Sequence, residues 1–196
     1  MLSDRHGTEL RIKLGNVAVR ADDGVVAAPG ATGSYPTGWI ELTPAANTVT
    51  GDIVLMPGDT NLALQDFVRS PTRLTIHDDL LTAIDGDHGD GDAIRALIEH
   101  LDDPLAYGVS RITIGMHAIG TQESVFDDNI RDPLVARRTG GLVTLTFGDN
   151  PHALRPCRGT VGLGLRGRTV ALDSSLVINA GLLWGVYAPD VYERSD

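Results

Sequence analysis

Cysteine, lysine and aromatic residues are scarce in this chain of 196 residues. It has one cysteine, Cys157, and one lysine, Lys13, and aromatic residues make up 5%. A lone cysteine cannot form a disulfide within the chain, which favours a reducing compartment, so we expect the protein to be cytoplasmic. With a formal net charge of -10, the chain lacks the basic surface that neutralises phosphates, and nucleic acid is not an expected partner.

Long apolar runs are also missing. No window reaches the roughly 20 apolar residues of a membrane-spanning helix, and the first ten residues, MLSDRHGTEL, lack the apolar core of a secretion signal. We therefore expect no membrane partner. A hydrophobic content of 42% and a charged content of 21% are typical of a globular chain, and the length predicts a single domain over residues 1–196.

Short alternations of apolar and polar residues run through most of the chain and predict β-strands. Two predicted hairpins span residues 9–20, around Gly15-Asn16, and residues 73–84, around His77-Asp78-Asp79. Further strands are predicted at residues 40–43, 51–56, 111–115, 142–147, 160–165, 169–172 and 176–179.

One segment is convincingly helical. From Asp92 onward, Ile94, Leu97, Ile98 and Leu101 recur at helical spacing, and Pro104 marks the end. Many short strands with one clear central helix predict an α+β domain that is mostly antiparallel β.

Three local patterns suggest chemistry and have plainer alternatives. The acidic stretch 85–92 does not fit the spacing of an EF-hand loop, and Asp90 and Asp92 are better explained as residues of a helix N-terminus. The stretch GLGLRG at 162–167 lacks the helix that follows a phosphate-binding loop. Cys157, five residues after His152, is better explained as a buried, inert thiol than as a nucleophile.

Read in order, several segments resemble one metalloenzyme superfamily. Gly7-Thr-Glu-Leu10 resembles a GTDL strand start, PTGWIELTP at 36–44 a PTGEV segment, VTLTFGDN at 143–150 a VHIALGDN strand, and Pro156-Cys157 a PC pair before an HxD motif. These motifs occur in the C-terminal domain of aminopeptidase T-type metallo-aminopeptidases and of 2,5-dihydroxypyridine 5,6-dioxygenases. The resemblance covers nearly the whole chain and implies that domain's fold, with the relatives' N-terminal domain expected to be absent.

The resemblance also implies where metal ligands would stand, and those positions are changed. The matching residues are Trp39, Arg111, Thr144, Arg158 and Thr160, whereas metals prefer carboxylate, imidazole or thiolate donors. We expect no metal and no other cofactor. The five residues are predicted instead to bind a peptide or amino-acid-like substrate by its carboxylate, because arginine offers a planar fork for that group. The alternative is that Arg111 and Arg158 pair with the protein's own acidic residues.

Three functions remain open from the sequence. The first is a peptide-tailoring role in a bacterial ribosomal-peptide pathway of the crocagin type, in which the protein promotes cyclisation or rearrangement without metal, with His117, Asp127 and Asp128 as proton carriers. The second is a non-catalytic peptide-binding or scaffolding subunit. The third is a metal-dependent oxygenase or aminopeptidase with a new ligand set from His117, Asp127, Asp128 and His152. A homodimer is expected in each case.

Overall fold

The structure of this protein is a computed structural model. It describes residues 1–16, 19–26, 28–30, 38–86, 89–117, 138–150 and 155–189. In these ranges no helix combines the length and apolar character needed to cross a membrane.

Two antiparallel sheets make up most of the described chain. The first has eight strands in the order β15-β14-β13-β1-β2-β5-β8-β9. Its strands, in chain order, are β1 (Leu2–Ser3), β2 (Glu9–Arg11), β5 (Thr50–Leu55), β8 (Thr72–His77), β9 (Leu80–Gly86), β13 (Thr169–Leu172), β14 (Ser175–Asn179) and β15 (Leu182–Leu183).

The second sheet has seven strands in the order β3-β4-β10-β11-β12-β6-β7. They are β3 (Arg20–Asp22), β4 (Trp39–Leu42), β6 (Thr60–Asn61), β7 (Asp66–Phe67), β10 (Val109–Gly115), β11 (Val143–Asn150) and β12 (Arg155–Leu165). The inner faces of both sheets contribute to one cluster of buried apolar side chains, so the sheets pack face to face.

The prediction of an α+β domain with a central helix is wrong. Strands account for 50% of the structure and helix for 12%. Within the described ranges the one α-helix is α1 (Asp90–His100), followed by a 3₁₀ turn at Pro104–Tyr107. The helix buries only Gly91, Ile94 and Ile98, so it covers part of the sheets' core and does not form a layer of its own.

The two predicted hairpins have different outcomes. β8 and β9 pair around Asp78 and Asp79, as predicted, and both turn residues have positive φ, 49° and 70°, as this tight turn requires. The hairpin predicted for residues 9–20 is wrong. β2 pairs with β1 and β5 in the first sheet, whereas β3 pairs with β4 in the second.

A buried arginine joins the two sheets where β12 leads into β13. The side chain of Arg168 is 2% exposed, and its Nη2 donates to Oδ2 of Asp59 at 2.5 Å and to the carbonyl oxygen of Val54 at 2.9 Å. Its Nε lies 3.2 Å from Oδ2 of Asp4 in an ionic contact. The guanidinium thus connects the segment after β1, the end of β5 and the turn before β6.

The pKa values of the Asp4 and Asp59 carboxyls shift in opposite directions in this environment. Burial acts to raise the pKa of Asp4, but hydrogen bonds from Thr8 and His6 and the charge of Arg168 hold that pKa below its ordinary value. At Asp59, burial raises the pKa against the opposing charge of Arg168. Loss of Arg168 would therefore leave Asp59 buried without the cation that stabilises its charged form.

Asp79 is a further buried carboxylate, and it positions the start of β10. Oδ1 of Asp79 accepts from the backbone amides of Thr48 and Val49, and Oδ2 accepts from that of Asn47. The carbonyl oxygen of Asp79 accepts from the amide of Val109 at 2.7 Å. These bonds fix the first residue of β10 and hence the register of the residues that follow it.

We predict that Arg168→Met destabilises the protein by about 3–5 kcal/mol, because it leaves two buried carboxylates without their cation. Arg11→Ala is the matched control: its ion pair with Glu9 is on the surface, its side chain is 77% exposed, and its loss is expected to cost within about 0.5 kcal/mol. Urea denaturation of the wild type and both variants measures the change in the free energy of unfolding. A cost for Arg168→Met no larger than that of Arg11→Ala would contradict the structural role assigned to this network.

Candidate functional site

The central strands of the second sheet carry a polar face opposite the core. Side chains alternate along a strand, and Ile112, Ile114 and Leu145 point into the core. Their neighbours therefore point to the other side. This polar face consists of Trp39 and Glu41 on β4, Arg111 and Thr113 on β10, Thr144 and Thr146 on β11, and Thr160 on β12.

The strand register brings these side chains side by side. Thr113 lies opposite Glu41 on one neighbouring strand and opposite Thr144 on the other. Arg111 lies opposite Thr146, and Gly115 lies opposite Trp39. Side chains directly opposite one another on antiparallel strands have Cβ atoms about 4.5–5.5 Å apart, so the polar face is one continuous surface.

Four of the five predicted substrate-binding residues share this face. Trp39, Arg111 and Thr144 lie on three adjacent strands, and Thr160 lies on the next strand, opposite Gly148. The structure therefore brings together residues that are 121 positions apart at the extremes of the sequence, from 39 to 160. Their role in binding stays a prediction.

Arg158, the fifth predicted residue, has a different environment. Its side chain is 66% exposed, and Nη1 donates to Oδ2 of Asp102 at 2.9 Å. The alternative that the sequence left open, pairing with the protein's own acids, is therefore seen for Arg158, and Arg111 also contacts one of them, Glu41, at 3.5 Å.

Charges on the polar face centre on Glu41, which is buried. Its Oε2 lies 3.5 Å from Nε of Arg111, and its Oε1 lies 3.4 Å from Nη1 of Arg20. The guanidinium carbon of Arg20 is 6.0 Å from the centre of the Trp39 ring, within cation–π range. One carboxylate thus lies between two guanidinium groups.

The side chain of Arg111 is well placed to bind such an anion. It is 18% exposed, and its contact with Glu41 is ionic, since Nε makes no hydrogen bond in the described part of the chain. The ionic contact fixes the position of this guanidinium but does not use all of its N–H donors. The remaining donors lie in one plane and suit a carboxylate or a phosphate.

Buried hydroxyl groups beside Arg111 also have no partner. Thr144 and Thr146 are fully buried, and across the described residues neither Oγ1 makes a hydrogen bond; the same holds for Oγ1 of Thr60. A buried polar group without a partner is costly and uncommon in folded proteins. These hydroxyls therefore mark a place where a ligand's polar atoms would be stabilised.

The predicted proton carriers are only partly described. His117 lies just after β10, half-buried, and its backbone amide donates to the carbonyl oxygen of Arg138 at 2.9 Å. It bridges to Thr139 in a short parallel contact. Asp127, Asp128 and His152 lie outside the described residues.

The acidic stretch agrees with its plainer interpretation, whereas Cys157 is half-buried and not buried as predicted. The thiol of Cys157 donates a hydrogen bond to Asp103, whose pKa is held below its ordinary value mainly by the amide of Leu105. Asp90 and Asp92 lie in the first turn of α1, as predicted. Asp90 accepts from the backbone amides of Arg69 and Ser70.

Three charged residues of this region, Arg20, Glu41 and Arg138, were not predicted from the sequence. Glu41 follows Trp39 by two positions, so strand alternation alone would have placed both on one face. Arg138 is buried, 7% exposed, and lies in the stretch 131–141, which resembles an insertion relative to the family pattern. Nothing local in that stretch indicates where it returns to the sheet.

The residues at the family's ligand positions do not suit a metal ion. An indole, a guanidinium and hydroxyl groups replace the expected donors, and a fixed positive charge at Arg111 repels a cation. In the described ranges no group of three or more His, Cys, Asp or Glu side chains comes together to hold a metal. We therefore derive no step through a metal from these residues.

Comparison with known proteins gives a consistent result. The family model described as 2,5-dihydroxypyridine 5,6-dioxygenase matches residues 1–185. A 2,5-dihydroxypyridine 5,6-dioxygenase of Pseudomonas putida KT2440 is 26% identical over 190 residues, which cover 94% of this chain and 53% of the relative. The chain thus spans about half the length of that relative.

Solved structures show the same fold. The structure of the 2,5-dihydroxypyridine dioxygenase from Pseudomonas putida KT2440 superposes with a TM-score of 0.83 at 22% identity, covering 96% of this chain and 55% of that one. Wild-type AmpT from Thermus thermophilus superposes with a TM-score of 0.54 at 12% identity, and the match covers 92% of this chain and 51% of that one. Both parts of the predicted resemblance, to the dioxygenase and to the aminopeptidase, are confirmed at the level of fold.

We predict that Thr144→Val and Thr146→Val leave the unliganded protein equally stable or stabilise it by up to about 1 kcal/mol, because each removes a buried hydroxyl without a partner. Thr75→Val is the matched control on a neighbouring sheet: its Oγ1 donates to Asp52 at 2.8 Å, and its loss is expected to cost about 0.5–1.5 kcal/mol. Urea denaturation measures the free energy of unfolding of the three variants. If the two polar-face variants lost as much stability as the control, their hydroxyls would have partners within the protein.

Proposed function

We propose, from the premise that this chain belongs to the 2,5-dihydroxypyridine 5,6-dioxygenase family, that its polar face binds the carboxylate of a peptide or amino-acid-like ligand. The family provides the sheet on which the site is built, while the residues at the site differ in charge from metal ligands. The proposal concerns binding first, because binding is what the geometry of the described residues supports best.

One observation carries the proposal: Arg111 stands beside buried hydroxyls that have no partner in the described chain. Arg111 is opposite Thr146, and Thr144 is one pair further along β11. A carboxylate at this point would accept from the guanidinium and from the hydroxyls at once. Such a ligand would satisfy groups whose burial is otherwise unfavourable.

Trp39 adds an apolar surface next to these donors. It is half-buried and lies against the guanidinium of Arg20. An aromatic ring beside an anion-binding arginine suits a ligand that has both a carboxylate and an apolar or planar part. A peptide with a free C-terminus meets both requirements.

The proposal has a second part, in which the protein also catalyses a reaction of the bound peptide. If the bound peptide is cyclised or rearranged, its positioning would supply most of the rate enhancement. His117, the one predicted proton carrier within the described residues, would move the proton near the Trp39 end of the polar face. A scaffolding subunit would use the same polar face without turnover. The crocagin-type pathway receives no support from the comparisons and stays a prediction, as do the homodimer and the cytoplasmic location.

We predict that the wild-type protein binds a short peptide with a free C-terminal carboxylate more tightly than the same peptide ending in an amide. Arg111→Met should weaken binding of the free acid by about 10- to 100-fold, the loss expected for a charged hydrogen bond. Isothermal titration calorimetry measures the four combinations of protein and peptide.

Arg11→Ala is the control variant, since Arg11 lies on the first sheet in a surface ion pair. It should leave both affinities unchanged. Equal binding of acid and amide by the wild type, or equal losses in Arg111→Met and Arg11→Ala, would refute carboxylate recognition by Arg111.

A metal-dependent oxygenase with a rebuilt ligand set is the competing function. We predict that the anaerobically prepared protein, given Fe²⁺, 2,5-dihydroxypyridine and then dioxygen, consumes no more oxygen than Fe²⁺ with the substrate alone. The physical reason is the guanidinium at the site, which opposes a cation. An oxygen electrode measures the rate, and uptake that saturates at one iron per chain would establish the competing function.

A further inference from the structure

Two glycines of the GLGLRG stretch lie on β12 and leave a gap in the polar side of the second sheet. The residues that alternate with them, Val161, Leu163 and Leu165, point into the core. Gly162 and Gly164 therefore lie on the same side as the polar face. Glycine inside a strand weakens it and often marks a place where a ligand or another chain approaches the backbone closely.

The protein itself does not require glycine at position 164. The φ angle of Gly164 is one that other residues also adopt. A Cβ there would lie 3.5 Å from Cβ of Thr60 and 3.6 Å from Cδ2 of Leu142, which are ordinary van der Waals distances. Gly148 on the neighbouring strand is different, because its φ is 97° and a Cβ would lie 2.3 Å from the carbonyl oxygen of Gly159. The gap at position 164 is thus not filled by the protein's own backbone.

Hydroxyl groups without a partner lie on both sides of this gap. Strand register places Gly164 opposite Thr144 on β11 and opposite Thr60 on β6. A Cβ at position 164 would lie 3.6 Å from Oγ1 of Thr60, so this hydroxyl lies directly beside the gap. Both Oγ1 atoms are buried, and neither makes a hydrogen bond within the described ranges. The proposed function uses Thr144 and leaves Thr60 without a role.

Hydrogen bonds on either side of Thr60 fix its position. The preceding residue, Asp59, accepts from the buried side chain of Arg168 and, at 2.6 Å, from the backbone amide of Arg166. Beyond Thr60, the amide of Leu62 donates to the carbonyl oxygen of Gly162 at 3.0 Å. A hydroxyl on a segment held in this way can bind a ligand with little further loss of conformational entropy.

Exposure increases along this row of residues towards the edge of the sheet. Thr144 is fully buried, Thr60 is 8% exposed, and Phe67, opposite Thr60 on the edge strand β7, is 36% exposed. Two strand spacings, roughly 9.5 Å, separate Thr144 from Thr60, and this is the length of about three extended residues. A peptide whose carboxylate lies at Thr144 can therefore reach solvent by crossing Gly164 and passing Thr60.

We infer that Gly164 and Thr60 form a second subsite, which binds the part of the peptide that precedes its C-terminal residue. This deepens the proposed function and rests on it. The absence of a side chain at position 164 admits the backbone of the peptide, and the Thr60 hydroxyl donates to a peptide carbonyl oxygen or accepts from a peptide amide. A peptide of three residues fills both subsites, whereas a single acylated amino acid fills only the carboxylate subsite.

Isothermal titration calorimetry with two probes, acetylated trialanine and acetylated alanine, each with a free carboxylate, tests the inference. The wild type should bind acetylated trialanine more tightly. Gly164→Ala should weaken that binding about tenfold or more, because its methyl group takes the ligand's place. Thr60→Val should weaken it about 3- to 10-fold, the loss of one neutral hydrogen bond, and Thr60→Ser, which keeps the hydroxyl, should not. All three variants should bind acetylated alanine like the wild type.

The outcomes separate this inference from the proposed function. If Arg111→Met weakens both probes while Gly164→Ala and Thr60→Val leave acetylated trialanine unaffected, the second subsite is refuted and the proposed function stands. Equal affinity of the wild type for the two probes, or equal losses for both probes in Gly164→Ala and Thr60→Val, also refutes the second subsite. If the wild type binds neither probe, the proposed function fails, and the inference fails with it.

Melting temperatures of the unliganded variants provide a second, independent readout. Gly164→Ala and Thr60→Val should leave the melting temperature unchanged or raise it, because the first adds a side chain where it fits and the second removes a buried hydroxyl without a partner. Gly148→Ala is the control and should lower it, because its Cβ would clash with the carbonyl oxygen of Gly159. A comparable fall in Gly164→Ala or Thr60→Val would show that the protein itself needs the glycine or the hydroxyl, and would overturn the inference.

Discussion

The fold depends on a charge that is almost entirely withdrawn from water. Arg168 is fully buried between Asp4 and Asp59 and also donates to the carbonyl oxygens of Val54 and Arg166. These partners lie in or next to four strands of the two sheets, so one guanidinium fixes how β12 passes into β13. Its net contribution to stability is limited by the cost of dehydration, whereas its contribution to geometry is large, because its two terminal nitrogens bond to three separate segments of the chain.

That geometry matters for the polar face because both sides of the second sheet are buried. The inner side is an ordinary apolar core, and on the outer side threonines and a glutamate are buried while Arg111 is half-buried. An apolar outer side would be more stable, since hydroxyls of Thr144 and Thr146 have no partner among the described residues. A protein that retains such groups sacrifices stability where binding needs donors that are already fixed in place.

Much of the local structure could be predicted from the sequence, whereas long-range pairing could not. The β8–β9 hairpin and helix α1 have local causes: two Asp residues at positive φ in one, apolar residues at helical spacing in the other. Residues 9–20 alternate just as clearly, yet β2 joins β1 and β5 while β3 joins β4, because sheet partners are chosen by burial across the whole chain. The helix was correctly located but given too central a role, since its periodicity says nothing about how much core it covers.

The candidate site shows the same limit. Trp39, Arg111, Thr144 and Thr160 were found because each replaces a residue of a recognisable family pattern, and strand register then places them on one face. Arg138 has no such pattern around it; its backbone and that of Thr139 pass close to Gly115, 23 positions earlier, where a side chain would not fit. A sequence shows a glycine there but not which backbone passes over it.

A change of charge at this site does not require a change of fold. Trp39, Arg111 and Thr144 face away from the core, and the residues that alternate with them, such as Ile40, Ile112 and Leu145, continue to pack between the sheets. Substitution on one side of a strand leaves the register and the apolar side intact. The same sheet that carries metal ligands in the family pattern can therefore carry arginines while the backbone is retained. A TM-score of 0.83 at 22% identity shows that the fold is shared, and outward-facing side chains of such a sheet can differ without changing that fold.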